Sequence, residues 1–166
     1  MKALFESAGF EVKTIDKLFG GQYLWIESRI SNKQKKPSKS RIINDSVTKS
    51  AVDYAKEESA FVTNMKNHLS KYDGLMAIWG AGAKGVSLAN LVDPNCELVD
   101  CLVDLNPQKQ GGYIPGSGHP IISYHDLPER GIKTALLMNP NYLDENLKLL
   151  KENNQSLELL NIESSF

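Results

Sequence analysis

The sequence predicts an α/β fold in which a parallel sheet is flanked by helices and preceded by a separate helix and β-hairpin. The apolar run Leu75–Trp79 has the length and composition of a strand that is buried on both faces. It is followed at once by Gly80, Gly82 and Gly85, which have the G-x-G-x-x-G spacing of a turn between a strand and a helix. Further short apolar runs alternate with loops and helical patterns, an order typical of a Rossmann-like sheet.

Residues 1–30 predict a helix and a β-hairpin. Helix character over Lys2–Ala8 ends at Gly9, and the segments Phe10–Leu18 and Gln22–Ile30 alternate as strands joined through Gly20-Gly21. A unit of this size buries too little apolar surface to be stable alone. We therefore expect it either to extend the later sheet or to belong to a neighbouring domain.

Residues 31–45 predict a linker. The segment contains five basic residues and no acidic residue before Asp45. Basic side chains can contact nucleic acid, but here no aromatic residues lie between them to stack on bases, so a solvated tether is expected instead.

A long helix is predicted from a cap at Asn44, Asp45 or Ser46 to about Leu69, and it opens the main domain, residues 46–166. Its apolar residues recur at three- and four-residue steps and form one stripe, which we expect to pack in the core. The stripe consists of Val47, Ala51, Tyr54, Ala55, Phe61, Val62, Met65 and Leu69.

The Gly80–Gly85 loop predicts a phosphate- or nucleotide-binding site. Its glycines permit a tight turn, let backbone approach a ligand, and let the following helix, Val86–Val92, pack closely on the strand. That helix would direct unpaired N–H groups and its positive dipole end at the ligand. Lys84 adds a positive charge there, which is favourable if an anion binds. In the alternative interpretation Lys84 only faces solvent and the glycines only shape the turn.

The second strand is predicted over Glu97–Val103, with Asp104 at its end. Asp104 follows Gly85 by 19 positions, close to the spacing of the acidic residue that binds ribose hydroxyls in dinucleotide folds. Cys96 and Cys101 are assigned to this same strand on opposite faces, so a disulfide between them is not expected. Two such cysteines favour a reducing compartment, and the cytoplasm is the expected location.

Residues 105–120 predict a long ordered loop, because glycine and proline recur throughout. The loop leaves the carboxyl end of the second strand beside the glycine loop, where open α/β sheets bind ligands. Lys109, Gln110, Tyr113 and His119 are the hydrogen-bond donors that it offers.

The rest of the chain completes the sheet. In order, the pattern predicts a strand at Ile121–Ser123, a turn or short helix at 125–128, a strand at Thr134–Met138, a helix at Asp144–Glu152 and a strand at Leu157–Ile162. The last helix is expected to bury Leu143, Leu147 and Leu150 on one side.

Composition excludes several classes of protein. The net charge of −1 provides no field to attract nucleic acid or an anionic membrane, and no apolar run approaches the length of a membrane span. The three histidines, His68, His119 and His125, do not form a metal-ligand spacing with the cysteines, and His68 is expected on a helix surface. Neither a nucleophile elbow nor a Walker motif is present, so a binding domain without its own catalytic groups is predicted.

Three segments together resemble a known family. Gly80–Gly85, Val103–Gly116 and His119–Ile121 resemble the C-terminal domain of the sugar C-methyltransferases, which are S-adenosylmethionine-dependent enzymes acting on nucleotide-linked deoxysugars. Leu4–Val12 and Phe19–Glu27 resemble the helix and final hairpin that close such a methyltransferase domain.

The resemblance implies the C-terminal portion of a longer enzyme, inactive alone. A methyltransferase domain would precede it and carry S-adenosylmethionine and the catalytic base, with no cofactor in this chain. The chain's ligand would be a nucleotide-diphosphate sugar, and Asn139-Pro140-Asn141 departs from the family, which often carries Trp-Asn there. The residues assigned to this ligand are Gly80, Ala81, Gly82, Ala83, Lys84, Gly85, Asp104, Asn106, Pro107, Lys109, Gln110, Gly111, Tyr113, Pro115, Gly116, His119, Asn139 and Asn141.

Two other hypotheses remain. The glycine loop and Asp104 are also compatible with a stand-alone NAD(P)-binding domain of an oxidoreductase or sensor. The third hypothesis is a structural or dimerising module with an empty crevice. Affinity for nucleotides separates the third hypothesis from the others, and preference for a diphosphosugar over NAD separates the first from the second.

Overall fold

A computed structural model describes residues 1–31, 45–72 and 75–162, with the side chains of Asp45 and Ser46 left out. The predicted linker, apart from its two end residues, and the predicted cap at Asn44 lie outside the described residues. The chain separates into two compact units, Met1–Ala51 and Val52–Phe166. The boundary falls inside the long helix.

The N-terminal unit contains the predicted helix and hairpin. Helix α1 (Lys2–Ser7) is followed by strands β1 (Phe10–Leu18) and β2 (Tyr23–Ile30), which pair antiparallel. The turn between the strands has positive φ at Phe19, Gly20 and Gly21, and glycine adopts this conformation without strain. The two strands form a sheet of their own. The expectation that they could extend the later sheet is therefore wrong for the described residues.

Helix α2 (Asp45–Leu69) has the predicted span, but its apolar stripe is buried only near its end. Met65 and Leu69 belong to the core, and Phe61 is half-buried against it. Val47 and Tyr54, in contrast, are 59 % and 65 % exposed. The prediction that the whole stripe packs in the core is wrong, because among the described residues of the helix only those of its last turns contribute to the core.

The main unit is the predicted parallel sheet. Its strands are β3 (Met76–Trp79), β4 (Val99–Val103), β5 (Ile121–Ile122), β6 (Thr134–Leu137) and β7 (Glu158–Asn161), arranged β5-β4-β3-β6-β7 and all parallel. Helices α3 (Ala83–Val92) and α4 (Leu143–Glu152) follow β3 and β6. Alternate strand residues enter two apolar clusters on opposite faces, as expected for a sheet covered on both sides. The Rossmann-like fold class is confirmed.

The strand order reverses between β3 and β6. From β3 the chain adds β4 and β5 on one side of the sheet and then β6 and β7 on the other. Trp79 and Leu137, at the carboxyl ends of β3 and β6, are register partners. Open α/β sheets bind ligands in the crevice at such a switch point, so the segments that leave these two strands are the candidate site.

The second strand begins later than predicted. Residue Cys96 lies outside β4, in a turn with φ 58°, and is exposed, whereas Cys101 is fully buried. The Asp93 carboxylate accepts the backbone N–H groups of Glu97 and Leu98, which precede the strand, and of Val99, its first residue. The chain therefore stays in a turn until β4 begins. The assignment of Cys96 to the strand is wrong, but both cysteines are free, as predicted.

Two helices also differ from prediction. Helix α3 starts three residues early because Gly82, with extended backbone, already acts as its N-cap. In α4 the expected core position Leu147 is 45 % exposed, and its neighbour Asn146 is buried instead.

His68, expected on the surface, is half-buried with its ring edge against Tyr72, at 5.6 Å between ring centroids. No helix among the described residues is long and apolar enough to cross a membrane.

Candidate functional site

The glycine loop has the geometry of a phosphate-binding turn. Gly80 has φ 122° and donates its N–H to the carbonyl of Val103 at 2.7 Å, which ties the end of β3 to β4. Gly85 is buried, and a Cβ there would collide with the carbonyl oxygen of Gly80. Around Gly82, in contrast, nothing lies within 4 Å of a Cβ position. The first and third glycines therefore close the helix onto the strand, and the second leaves backbone open to a ligand.

Helix α3 presents an electropositive end at this loop. The N-cap Gly82 has no capping side chain, and no acidic residue lies in the first turn. Lys84 is exposed in that turn and makes no ion pair or hydrogen bond with a described residue. The unpaired N–H groups, the helix dipole and the ammonium group all favour an anion here.

Asp104, the predicted ribose-binding residue, joins two loops. Its Oδ2 accepts the N–H of Ala81 at 3.2 Å and lies 2.7 Å from the Lys109 ammonium. Oδ1 accepts the N–H of Asn106 at 3.0 Å. Because three donors within the protein already occupy the carboxylate, a ribose hydroxyl would have to compete with them.

The 105–120 loop is ordered by its own hydrogen bonds, as predicted. The Gln110 amide donates to the Asp104 carbonyl at 2.8 Å, and Ile114 donates its N–H to the carbonyl of His119 at 3.0 Å. The Ile114 side chain is buried in the core and anchors the middle of the loop. Tyr113, next to it, is 72 % exposed.

The far end of the loop is fixed to α3 by Asn90. Its amide nitrogen donates to the carbonyls of Val86 and Pro115, and its Oδ1 accepts the N–H of Ser117 at 2.7 Å. Gly116 has φ 94°, and a Cβ there would overlap the Asn90 amide. Glycine is thus required at 116 for both conformation and space.

His119 is fully buried, which corrects the expectation that it faces a ligand. Its Nε2 lies 3.3 Å from Oδ2 of Asp93, and its Nδ1 lies 2.7 Å from Oγ of Ser117. A carboxylate only accepts, so Nε2 carries the proton that is shared with Asp93. Both ring nitrogens are therefore engaged inside the protein, and His119 holds the loop in place.

Several hydrogen bonds converge on the buried carboxylate of Asp93. Burial alone would raise the pKa of Asp93, but the backbone N–H groups of Glu97, Leu98 and Val99 and the imidazole of His119 outweigh burial, so the pKa is held below its usual value. Asp93 therefore connects the end of α3, the start of β4 and the 105–120 loop as a charged acceptor.

The segment after β6 lies on the other side of the switch point. Asn139 caps a short 3₁₀ turn, Pro140–Tyr142, through an Oδ1 that accepts the N–H of Asn141 at 3.2 Å. The turn leads directly into α4. Asn139 is half-buried and Asn141 is exposed.

The structure thus brings most of the predicted residues to the carboxyl edge of the sheet, with unequal access. Pro115, Gly116 and His119 lie instead near the end of α3 and the start of β4, at the amino edge. Those exposed are Gly82, Ala83, Lys84, Asn106, Pro107, Gly111, Tyr113, Pro115, Gly116 and Asn141. Those half-buried are Gly80, Asp104, Lys109, Gln110 and Asn139, and those buried are Ala81, Gly85 and His119. The anchors Asn90, Asp93 and Ser117 were not predicted from the sequence, although a short polar side chain before proline, as in Asp93-Pro94, is a recognised signal for backbone capping.

The described residues contain no group of three or more His, Cys, Asp or Glu side chains that could hold a metal ion. In a comparison with known families, residues 42–156 match the family described as C-methyltransferase C-terminal domain. No curated relative matches the chain. The matched region covers most of the chain and includes the glycine loop, the 105–120 loop and both helices beside the crevice. The chain therefore belongs to the family of C-methyltransferase C-terminal domains.

Proposed function

We propose that the chain is the nucleotide-sugar-binding portion of an S-adenosylmethionine-dependent sugar C-methyltransferase. The observation that carries the proposal is an electropositive helix end at the switch point of the parallel sheet, in a chain of this family. The cofactor and the catalytic base are assigned to a preceding methyltransferase domain. Alone, the chain would bind the substrate and leave it unchanged.

The glycine loop supports the diphosphate part of this ligand. The open backbone at Gly82 and Ala83 and the unpaired ammonium of Lys84 provide donors and positive charge at one place. S-adenosylmethionine has no phosphate, and its sulfonium cation would lie in an electropositive loop. These residues do not fit that cofactor, and no methyl-transfer step is assigned to them.

The 105–120 loop is held by hydrogen bonds, so it would offer the nucleotide sugar a rigid surface. It is tied to β4 through Asp104 and to α3 through Asn90, so that most of its predicted donors are already engaged within the protein. Tyr113 is the exception, since its ring is 72 % exposed and available for stacking on a base or a sugar.

The apolar face of the N-terminal hairpin is consistent with a methyltransferase domain as the partner of this chain. In the hairpin Phe10 pairs with Ile30 and Ile15 with Ile26, which places apolar side chains together on one face. Phe10, Ile15 and Ile30 are 38 %, 37 % and 77 % exposed. A two-stranded sheet with such a face is stable only when something packs against it. A methyltransferase domain that ends in this hairpin would cover it.

NAD(P) binding remains the alternative, because Asp104 lies at the end of the strand beside β3, where ribose-binding acids are found. The ion pair with Lys109 and the N–H groups of Ala81 and Asn106 weigh against it, because they already occupy the carboxylate. A dinucleotide would have to break this arrangement to bind in the usual way.

The test is a thermal-shift panel of dTDP, UDP and GDP, their sugar conjugates, NAD, NADP and S-adenosylmethionine. A ligand at 100 times its Kd adds about 2.7 kcal/mol to stability, which raises Tm visibly. We expect shifts with nucleoside diphosphates and larger ones with their sugars, and none with S-adenosylmethionine. A shift with NAD alone would establish the alternative, and a flat panel would favour a structural module.

A further inference from the structure

Asn146 is a buried polar residue that the site described above does not use. It lies in the second turn of α4 and is 3 % exposed, among apolar neighbours that include Leu143 and Leu150. Within the part of the chain that the structure describes, no group hydrogen-bonds its side-chain amide, and neither amide atom is completely sealed from solvent. Buried amides are ordinarily satisfied, so an open one requires an explanation.

The position of Asn146 points to the crevice. Helix α4 begins at the carboxyl end of β6, beside the switch point with β3. Helical side chains lean toward the N-terminus and cover the preceding turn. Leaning in this way, the amide of Asn146 would point toward the first turn of α4, which follows the Asn139–Tyr142 segment.

We propose that Asn146 is a sugar-binding residue, whose amide is completed by a hydroxyl or carbonyl oxygen of the ligand's sugar. An amide offers a donor and an acceptor without charge, which matches a neutral sugar and not the diphosphate. The helix end of α4 and the buried open amide are two independent observations at the same place. The inference rests on the proposed function, and it adds the residue that distinguishes a nucleotide sugar from its nucleoside diphosphate.

The test compares wild-type protein with Asn146→Leu and Asn146→Ala in calorimetric titrations. The probes are three matched pairs, dTDP with dTDP-glucose, UDP with UDP-glucose, and GDP with GDP-mannose. In both variants we expect the affinity for the sugar conjugate to fall about tenfold, the loss of one hydrogen bond, while the affinity for the matching diphosphate stays unchanged. Asn64→Leu, at an exposed asparagine of α2, is the matched control and should change neither.

Stability provides the second readout. Leucine replaces an amide that has no protein partner, so Asn146→Leu should keep or raise Tm. If the amide instead bridged two parts of the fold through a buried water, Asn146→Leu would lower Tm. The inference is overturned if the variants bind conjugate and diphosphate as the wild type does, and such a result leaves the proposed function standing. If the wild-type protein binds none of the six probes, the proposed function fails and the inference fails with it.

Discussion

The ammonium of Lys109 lies 2.7 Å from Oδ2 of Asp104 and 3.2 Å from the carbonyl oxygen of Ala81. One side chain therefore connects the 105–120 loop to the end of β4 and to the glycine loop. This contact makes the crevice wall a fixed structure, and it occupies the carboxylate that a dinucleotide would need for its ribose.

Lys109→Met should loosen this connection with little loss of global stability. The pair is partly exposed, and such ion pairs contribute about 0–1 kcal/mol. Amide hydrogen exchange should accelerate over residues 104–112, and nucleotide-sugar affinity should fall because the wall is less ordered. The control is Lys148→Met, where the pair with Glu152 is longer, at 3.8 Å, and highly exposed. Unchanged exchange in Lys109→Met would show that the loop does not depend on the pair.

Gly116→Ala should destabilise the protein more than Gly118→Ala does. Both positions have positive φ, which costs a side chain about 1–3 kcal/mol, but only at 116 would the Cβ overlap the Asn90 amide. Urea unfolding of the two variants measures the difference. The double variant Asn90→Ala/Gly116→Ala should recover part of the loss due to overlap. Equal effects at 116 and 118 would contradict the packing argument.

The strands and the glycine turn after β3 could be predicted from the sequence because their signals are local. A continuous apolar run before three spaced glycines, as at Leu75–Gly85, specifies a buried strand and the turn after it whatever the rest of the chain does. The carboxyl edge of the sheet then follows from the order of elements.

The contacts that hold the 105–120 loop could not be predicted, because they join residues that are distant in sequence. Asp93 meets His119 only after β4 and the long loop have been placed, and nothing in the local pattern of either residue indicates the other. For α4, Asn146 and Leu147 are adjacent, so a small rotation of the helix decides which one faces the sheet. The pattern of leucines favoured Leu147, and tertiary packing selected Asn146.

Asp93→Asn should lower the free energy of unfolding at neutral pH. It should also make that free energy less dependent on pH. The pKa of Asp93 is lowered in the folded protein, so the ionised group stabilises the fold above the unfolded-state value of about 3.9. That contribution is lost as the pH falls through the lower folded-state pKa. Each buried donor left without its acceptor costs about 1–3 kcal/mol, which sets the loss expected at pH 7.

Urea titrations between pH 2 and pH 7 measure this effect. The free energy of unfolding of the wild type should fall toward acid more steeply than that of Asp93→Asn. Asp53→Asn, at an exposed site on α2, is the control and should follow the wild type. Parallel curves for wild type and Asp93→Asn would refute the assigned role of the carboxylate.

Of the second and third glycines of the loop, only the third should be strongly destabilised by substitution with alanine. At Gly85 the new methyl group would meet backbone, the Gly80 carbonyl, which cannot move aside. Overpacking of this kind typically costs about 1–3 kcal/mol, and here α3 must shift from β3. Gly82→Ala has open space and negative φ, so it should change Tm little beyond a weaker N-cap. Differential scanning calorimetry measures Tm for both variants. A Gly85→Ala protein with the Tm of the wild type would contradict the packing argument.

Lys84→Glu should abolish binding of nucleoside diphosphates and leave Tm nearly unchanged. The side chain is exposed and has no partner among the described residues, so its replacement breaks no contact. A carboxylate in the first turn of α3 would also interact favourably with the helix dipole, so any change in stability should be small and positive. Lys133→Glu is the matched control, since Lys133 is exposed and precedes β6, at the amino edge of the sheet opposite the crevice. Calorimetric titration with dTDP and UDP should therefore separate the two charge reversals, with binding lost in Lys84→Glu and kept in Lys133→Glu. If Lys84→Glu binds as tightly as the wild type, the diphosphate does not bind at the N-terminus of α3.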